Sequence, residues 1–276
     1  MTHITASIVT YNNPLPMLEK AVSSFLNTPL DVRLYIVDNS PQDTLRSAFS
    51  DPRITYIFND ANLGYGTAHN IAIRRAMASG NDYHIVLNPD IYFDKGVIEA
   101  LALYMDRHPD VGLVMPKVLY PDGTLQQLCK LSPAPKDQFY RRFMPIRSIR
   151  EKRDELYELR FADFDKEIDA PFLSGSFMFL RLDALKKSGL FDENIFMYLE
   201  DADLCRRIHR EYRTVYYPHV HIFHEYAKGS HRSRRLLFYH IRSALYYFTK
   251  WGWFVDRERD RINAETLRRL RSENRP

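Results

Sequence analysis

Short apolar runs alternate with amphipathic segments through the first half of the chain. The runs Thr5 to Thr10 and Arg33 to Val37 have the character of strands, and apolar residues recur between them at helical spacing, at Leu15, Leu18, Ala21, Val22 and Phe25. This order predicts a βαβ unit, which implies parallel strands and a right-handed crossover.

Later apolar runs predict further strands at Ile54 to Phe58, Tyr83 to Leu87, Val111 to Pro116 and Thr214 to Phe223. The run Tyr83 to Leu87 is almost continuously apolar, which is typical of a central strand covered on both faces. Helical patterns separate several of these runs. The sequence therefore predicts an α/β fold with a mostly parallel central sheet flanked by helices.

Polar residues stand at the ends of the first two predicted strands, at Thr10, Asn12, Asp38 and Asn39. In open parallel sheets, ligands bind outside the carboxyl ends of the strands. A carboxylate at this edge can accept the imide N–H of a uracil or thymine ring. For Asp38 or Asn39 taken alone, a role in forming the turn is an equal alternative.

A glycine-containing loop follows the third strand and opens a helix, with its glycines at Gly64 and Gly66. Glycine lets the backbone approach a ligand closely, and the N-terminus of a helix favours anions. The spacing is not that of a dinucleotide-binding motif, and no Walker motif is present. The loop therefore predicts phosphate contact but not an NAD site.

The central strand runs directly into Asn88-Pro-Asp90. Asp90 at the mouth of this strand can hold Mg²⁺ or Mn²⁺ against a diphosphate, with phosphate and water in the other positions, or it can be a plain turn residue. Three histidines, His219, His221 and His224, lie near the end of a later strand, which favours one of them as a ligand although lone histidines are more often structural.

The segment Phe191 to Arg207 carries the adjacent carboxylates Glu200 and Asp201, hereafter the carboxylate pair. Apolar and aromatic neighbours and mutual repulsion should raise the pKa of one member, which suits a general base. The alternative is that Asp201 only caps a helix and Glu200 is a favourable first-turn charge. Upstream, Gly175 between two serines predicts a bend where a ligand or backbone comes close.

Composition narrows the class of protein without naming a function. The 276 residues are 45% hydrophobic and 27% charged, which is ordinary for a globular chain, and the two distant cysteines favour a reducing compartment. No apolar run has transmembrane length, and we expect no signal peptide because a strand pattern starts at Ile4. Residues 121 to 169 lose periodicity, so an acceptor-facing excursion and a solvated insertion are both open.

Charge is distributed unevenly, with 17 Lys or Arg against 7 Asp or Glu from Arg206 onward. Four apolar residues form a stripe in this region, and Tyr and Trp residues flank it; the stripe is Leu237, Ile241, Leu245 and Phe248. This composition predicts a helix on an anionic membrane surface, and core packing of the same stripe is the rival. A nucleic-acid-binding tail is a third possibility, but acidic strand-end motifs argue against it, so no nucleic acid partner is expected.

In order and spacing, the motifs resemble those of family 2 glycosyltransferases with a Rossmann-like GT-A fold, specifically bacterial rhamnosyltransferases of O-antigen and cell-surface polysaccharide assembly. The resemblance runs from Ile4 to about Trp253 and is weakest over residues 121 to 169. Its carriers are Val-Thr-Tyr-Asn12, Val-Asp-Asn39, Asn62-Leu-Gly-Tyr-Gly66, Leu-Asn-Pro-Asp90, Ser-Gly-Ser-Phe-Met178, Phe-Met-Tyr-Leu-Glu-Asp201 and the segment from His224 to Ser230.

The resemblance implies a role for each matching position. It makes Asp201 the catalytic base and assigns Asp90 and His224 to a Mg²⁺ or Mn²⁺ ion, although Asn88 departs from the two-carboxylate form of that metal motif. It places the donor and acceptor sugars near Gly175, Ser176 and Glu200. It implies nucleotide-sugar binding by Thr10, Asn12, Asp38, Asn39, Asn62, Gly64, Gly66, Asn70 and Asn88.

The same resemblance implies an inverting transfer of L-rhamnose from dTDP-rhamnose to a lipid-diphosphate-linked saccharide. A UDP-sugar donor and a non-catalytic sugar-nucleotide-binding scaffold are the alternatives, and the intact carboxylates oppose the second. We expect a catalytic domain at 1–230, with a nucleotide-sugar half at about 1–120 and an acceptor half at about 121–230. A basic, aromatic, helical tail follows at 231–276, and the expected location is cytoplasmic, peripheral at the inner face of the cytoplasmic membrane.

Overall fold

A computed structural model describes residues 3–137, 146–225 and 234–273. Its longer strands are β1 (Ile4–Thr10), β2 (Val32–Asp38), β3 (Ile54–Phe58), β4 (Tyr83–Leu87), β6 (Val111–Leu119), β10 (Phe177–Arg181) and β11 (Arg213–His224). Short strands are β5 (Ile91–Tyr92), β7 (Cys129–Lys130), β8 (Ile168–Asp169) and β9 (Phe172–Leu173). The helices are α1 (Leu15–Leu26), α2 (Tyr65–Ala78), α3 (Val97–Arg107), α4 (Arg147–Tyr157), α5 (Leu182–Ser188), α6 (Glu200–Ile208), α7 (Arg234–Trp251) and α8 (Arg257–Glu273).

The main sheet has the strand order β3-β2-β1-β4-β10-β6-β11-β5, with β8 added beside β11. Strands β1 to β4 are parallel, as the βαβ pattern predicts, whereas β10 runs antiparallel between β4 and β6. A separate ribbon pairs β7 with β9. The first four strands therefore end at one edge, where the predicted polar residues lie, and the antiparallel β10 begins at that same edge.

The segment 121 to 169 is more ordered than its lost periodicity suggests. It contains β7, helix α4 and β8, and Leu131 N–H bonds to Tyr157 O at 2.9 Å. Tyr157 and Leu159 are buried in the main hydrophobic core. The sequence pattern failed here because the strands are only two residues long and their pairing partners are distant.

The tail packs on the rest of the chain through only part of the predicted stripe. Phe248 is buried, as is Tyr247, but Ile241 and Leu245 are 46% and 53% exposed. Two apolar faces therefore exist on α7, one covering the core and one open. In the described ranges, none of the helices combines the length and apolar character needed to traverse a bilayer. The predicted domain boundary at 230 falls outside the described residues.

Helix α8 is tied to helix α6 by a buried ion pair. The guanidinium of Arg206 bonds both carboxylate oxygens of Asp256, at 2.6 and 2.7 Å, and reaches Glu258 at 2.7 Å. Arg206 also lies 4.1 Å from the ring of Trp251. Arg206 and Asp256 are both almost fully buried. Removal of either side chain would therefore leave the other charge buried and unpaired, which is strongly destabilising.

Candidate active site

A cleft of about 640 Å³ opens near the carboxyl ends of β4, β6 and β11. Its size suits a sugar-sized ligand. Six predicted site residues line it, namely Asn88, Gly175, Ser176, Glu200, Asp201 and His224. Residues from the poorly patterned segment line it as well, including Gln126, Lys130, Glu158 and Arg160. The structure thus favours a cleft-facing role for part of residues 121 to 169.

Asp201 lies in the first turn of helix α6 and faces Gly175. Its Oδ2 accepts the Gly175 N–H at 2.8 Å, and its Oδ1 accepts the Ala202 N–H at 2.8 Å. The residue before the helix is Leu199, and it makes no side-chain cap. The helix-capping alternative for Asp201 is therefore wrong, because its carboxylate is directed to a neighbouring loop in the cleft.

Both members of the carboxylate pair hold protons more tightly than exposed carboxylates do. Burial, followed by the adjacent Asp201 charge, raises the pKa of Glu200 well above its usual range. Burial also raises the pKa of Asp201, but the Gly175 N–H and the charge of Lys130 oppose that increase. The predicted increase is confirmed. The pair divides into Asp201, whose carboxylate is stabilised by backbone donors, and Glu200, whose buried Oε2 has no hydrogen-bond partner among the described residues.

Gly175 is required because it packs closely against Asp201. A Cβ at this position would lie 2.9 Å from the Cβ of Asp201. The Tyr65 hydroxyl lies 2.6 Å from Gly175 O and 3.0 Å from Asn88 Oδ1, so it joins two sides of the cleft. Tyr65 is a site residue that the sequence reasoning missed, although it stands between the two glycines of the quoted motif.

Asp90 and His224 form the candidate metal site. His224 Nε2 lies 3.3 Å from Asp90 Oδ1, a buried oxygen with no hydrogen bond among the described residues. Gln126 fixes the imidazole, since its Nε2 donates to His224 O at 2.8 Å and its Oε1 faces His224 Nδ1 at 2.9 Å. Nδ1 therefore carries a proton, and Nε2 faces the carboxylate of Asp90.

Two lone-pair atoms this close repel each other unless a cation or proton lies between them. A carboxylate oxygen beside an imidazole nitrogen suits a divalent ion such as Mn²⁺. Asp90 and His224 therefore fit a divalent cation. Because no group of three or more potential protein ligands occurs in the described ranges, the other positions would fall to ligand and water.

The predicted nucleotide residues form a bonded edge beside the cleft. Thr10 and Asp38 are fully buried at the ends of β1 and β2. Asp38 accepts the Ser40 N–H and the Tyr56 hydroxyl, both at 2.8 Å. Asn12 is exposed and left-handed, with φ of 54°. The carboxylate of Asp38 is thus fixed by hydrogen bonds within this turn, as the turn-forming alternative expects. Its contact with a nucleobase stays a prediction.

Amide side chains shape the glycine loop. Asn39 Nδ2 donates to Gly64 O at 3.1 Å, and Asn39 Oδ1 accepts from Asn59 Nδ2 at 2.8 Å. Asn62 Oδ1 accepts the Gly64 N–H at 3.1 Å. Gly64 has φ of 84°, and a Cβ there would lie 2.4 Å from Phe196 O. The loop therefore contacts the segment that leads to the carboxylate pair.

Asn70 and Gly66 face the same segment rather than the cleft. The Asn70 amide donates to Phe191 O and Glu193 Oε1, both at 2.9 Å, and accepts the Phe191 N–H at 3.1 Å. A Cβ on Gly66 would lie 2.8 Å from the Phe191 Cβ. Because Asn70 is fully buried and its polar atoms are occupied, the structure gives it a supporting task in place of the predicted ligand contact.

This geometry, a buried carboxylate pair in a cleft at the carboxyl edge of a mostly parallel sheet, suits a glycosyltransferase of GT-A architecture. The chain belongs to glycosyl transferase family 2, whose model matches residues 5–189. It is 30% identical over 252 residues to the N-acetylglucosaminyl-diphospho-decaprenol L-rhamnosyltransferase of Mycobacterium tuberculosis (strain ATCC 25618 / H37Rv), covering 84% of this chain and 79% of that protein. It is 27% identical over 214 residues to the rhamnosyltransferase WbbL of Escherichia coli (strain K12), covering 73% and 76%.

Solved structures agree on the fold. TarS 1-349 of S. aureus matches with a TM-score of 0.59 at 15% identity, covering all of this chain and 73% of that one. GalNAc-T7 with UDP, GalNAc and Mn²⁺ matches with a TM-score of 0.61 at 12% identity, covering 81% and 43%. The predicted family, fold class and enzyme class are confirmed.

Proposed function

We propose that this enzyme transfers L-rhamnose from dTDP-rhamnose to a lipid-diphosphate-linked saccharide, with inversion at the anomeric carbon, in surface polysaccharide assembly. The observation that carries the proposal is the Asp201 carboxylate, fixed by the Gly175 and Ala202 N–H groups in a sugar-sized cleft. The rhamnosyltransferases to which the chain is similar support the choice of donor and acceptor.

The roles of the residues follow from single displacement. Asp201 accepts the proton of an acceptor hydroxyl while that oxygen bonds to the anomeric carbon and the bond to the nucleoside diphosphate breaks. Burial and the adjacent Asp201 charge favour the protonated form of Glu200, and in that form it can donate a hydrogen bond to a sugar hydroxyl. Gly175 and Ser176 border the sugar, and Thr10, Asn12, Asp38 and Asn39 border the nucleoside.

Asp90 and His224 would hold Mg²⁺ or Mn²⁺ at the diphosphate. When bound, such an ion offsets negative charge on the leaving group. The Nε2 atom of His224 and the carboxylate of Asp90 lie 3.3 Å apart, and both are ligand types that suit this task.

We also infer that the tail lies on an anionic membrane, at the inner face of the cytoplasmic membrane. Between Glu225 and Asp256 the sequence has six Lys or Arg and no Asp or Glu. The open face of α7 carries Phe238 beside Ile241 and Leu245, and Phe254 after the helix is 93% exposed. Exposed aromatic and aliphatic residues among cations fit an anionic lipid surface.

The experiment is a transfer screen with purified enzyme. dTDP-rhamnose, UDP-glucose and UDP-N-acetylglucosamine are each offered with an N-acetylglucosaminyl-diphospho-lipid, with and without Mn²⁺, and product configuration is read by NMR. We expect transfer from dTDP-rhamnose with inversion and dependence on the cation. Transfer from a UDP-sugar alone would overturn the donor assignment. Tight donor binding with no transfer to any acceptor would favour the scaffold alternative.

A further inference from the structure

Two consecutive residues before the carboxylate pair have left-handed backbones. Tyr198 has φ of 69° and Leu199 has φ of 67°, and neither is glycine. Bulky residues rarely adopt this region, and they persist there only when surrounding contacts impose it. Because Glu200 follows immediately, the geometry of this left-handed turn determines where helix α6 starts. The contacts that hold the turn are therefore part of the catalytic architecture.

Helix α7 of the tail supplies those contacts. The Ser243 hydroxyl donates to Met197 O at 2.7 Å, and its side chain is buried. The Tyr198 ring lies 5.1 Å from the His240 ring, on the same side of α7. Ser243 thus hydrogen-bonds the backbone of the residue immediately before the turn.

The same helix also bonds to residues on both sides of the turn. Upstream, Lys250 Nζ lies 2.7 Å from Asp192 Oδ2. Downstream, Asp203 in the first turn of α6 is fully buried and accepts from Trp251 Nε1 at 2.8 Å, with Lys250 Nζ 2.7 Å away. With its flanks fixed in this way, the turn can relax only through its own backbone, where the bond from Ser243 acts.

We propose that Ser243 is a positioning residue for catalysis, which holds the left-handed turn so that Asp201 faces Gly175 and the acceptor. The inference rests on the function proposed above. Without the hydroxyl, Met197 O loses its donor, and the turn is free to move toward the ordinary φ region. Helix α6 would then start in a shifted position, and displacement of a catalytic group by about 1 Å costs up to about 100-fold in rate.

The test compares Ser243→Ala with wild type in the full-length enzyme. We expect kcat to fall about 10-fold to 100-fold while donor affinity, measured by calorimetry with dTDP, changes less than about twofold. Hydrogen exchange over residues 196–203 should become faster. Ser272→Ala, an exposed serine on α8, is the matched control and should change neither.

A second variant separates positioning from general damage. Glycine adopts positive φ readily, so Tyr198→Gly removes much of the cost that Ser243 opposes. Tyr198 lines the cleft and its loss will itself slow transfer, so the measured quantity is the effect of Ser243→Ala within each background. We expect that effect to shrink at least about threefold in Tyr198→Gly. Equal effects in both backgrounds, or full kcat in Ser243→Ala, would overturn the proposal, whereas an inactive wild type would refute the proposed function instead.

Discussion

The proposed nucleotide half and the proposed catalytic half of this enzyme position their polar groups by different means. In the nucleotide half, Asp38 and Asn39 follow β2 directly, and their partners Ser40, Tyr56 and Asn59 lie within about twenty residues along the chain. In the catalytic half, Asp201 depends on Gly175, and the turn before it depends on Ser243. Asp38 and Asn39 are thus held by local partners, whereas the turn before Asp201 is held by a helix that follows much later in the chain.

This difference explains where variants should act. A change at a strand end alters one contact in a frame that strand pairing already fixes. A change in the tail alters the frame of the catalytic pair itself. The predictions below test this contrast, from the largest expected effect to the smallest.

Asp201→Asn should reduce transfer by about 10²-fold or more, because the amide cannot accept the proton of the acceptor hydroxyl. Donor affinity should stay within a few-fold, since the nucleotide half is untouched. Initial rates and dTDP calorimetry on the same preparation measure both. Turnover near that of wild type would remove Asp201 as the base.

Arg206→Met should lower the free energy of unfolding by about 3–5 kcal/mol, because it leaves Asp256 buried without its main cation. Urea unfolding measures the change. Arg46→Met, at an exposed pair with Asp43, is the control and should cost no more than about 1 kcal/mol.

By the same reasoning, deletion of residues 231–276 should give insoluble protein. Equal decreases in the free energy of unfolding of the Arg206 and Arg46 variants would mean that the contact of α8 with α6 does not stabilise the fold.

Sequence reasoning succeeded where the structural motif is local. The apolar run before Asp90, the strand-end position of Asp38 and the carboxylate pair were all visible because each motif is contiguous. Gln126 and Ser243 were not, since each acts on a residue 98 or 46 positions away. The stripe predicted on α7 is divided, with Ile241 and Leu245 exposed and Phe248 buried, because helical periodicity finds apolar faces but does not tell which face the core covers.

Gln126→Leu should weaken Mn²⁺ binding about 10-fold to 100-fold, because the amide that fixes the His224 tautomer is lost. Electron paramagnetic resonance of Mn²⁺ with dTDP present measures it without turnover. Gln127→Leu, its neighbour in the cleft, is the control. Unchanged affinity in Gln126→Leu would exclude this role and weaken the case for His224 as a ligand.

Mild acid should destabilise the nucleotide half before the tail. Burial lowers the pKa of His84 to about 3 and that of His69 well below its usual range, so both are neutral when folded. The stability that these two neutral histidines contribute is fully present above the unfolded-state pKa of 6.5. It is lost as the pH falls toward the folded-state pKa values, by about 1.4 kcal/mol per pH unit for each histidine.

In the tail, Arg210 first and then Arg206 hold the pKa of Glu258 at about 2 against the opposing effect of burial. Its contribution is present above the unfolded value of 4.5 and is lost only from there toward about pH 2. Amide hydrogen exchange at pH 5.5 should therefore be faster in β1 and β4 than in α8. His84→Gln should flatten the pH dependence of the free energy of unfolding, whereas His219→Gln, at an exposed position, should not.

The smallest effect on stability is expected on the open face of α7. Phe238 and Leu245 are 60% and 53% exposed, so serine at both should change the free energy of unfolding by only about 0.5 kcal/mol. Membrane binding should fall much more, because the substitutions remove apolar area that would enter the lipid, while each cation at the surface contributes about 1 kcal/mol on its own. Co-sedimentation with phosphatidylglycerol vesicles at low and high salt measures binding, and neutral vesicles are the comparison. We expect wild type to bind anionic vesicles at low salt, the double variant to bind at least about tenfold more weakly, and salt to weaken both. If wild type fails to sediment at low salt, the open face has another role and the membrane assignment falls, although the transferase chemistry in the cleft does not depend on it.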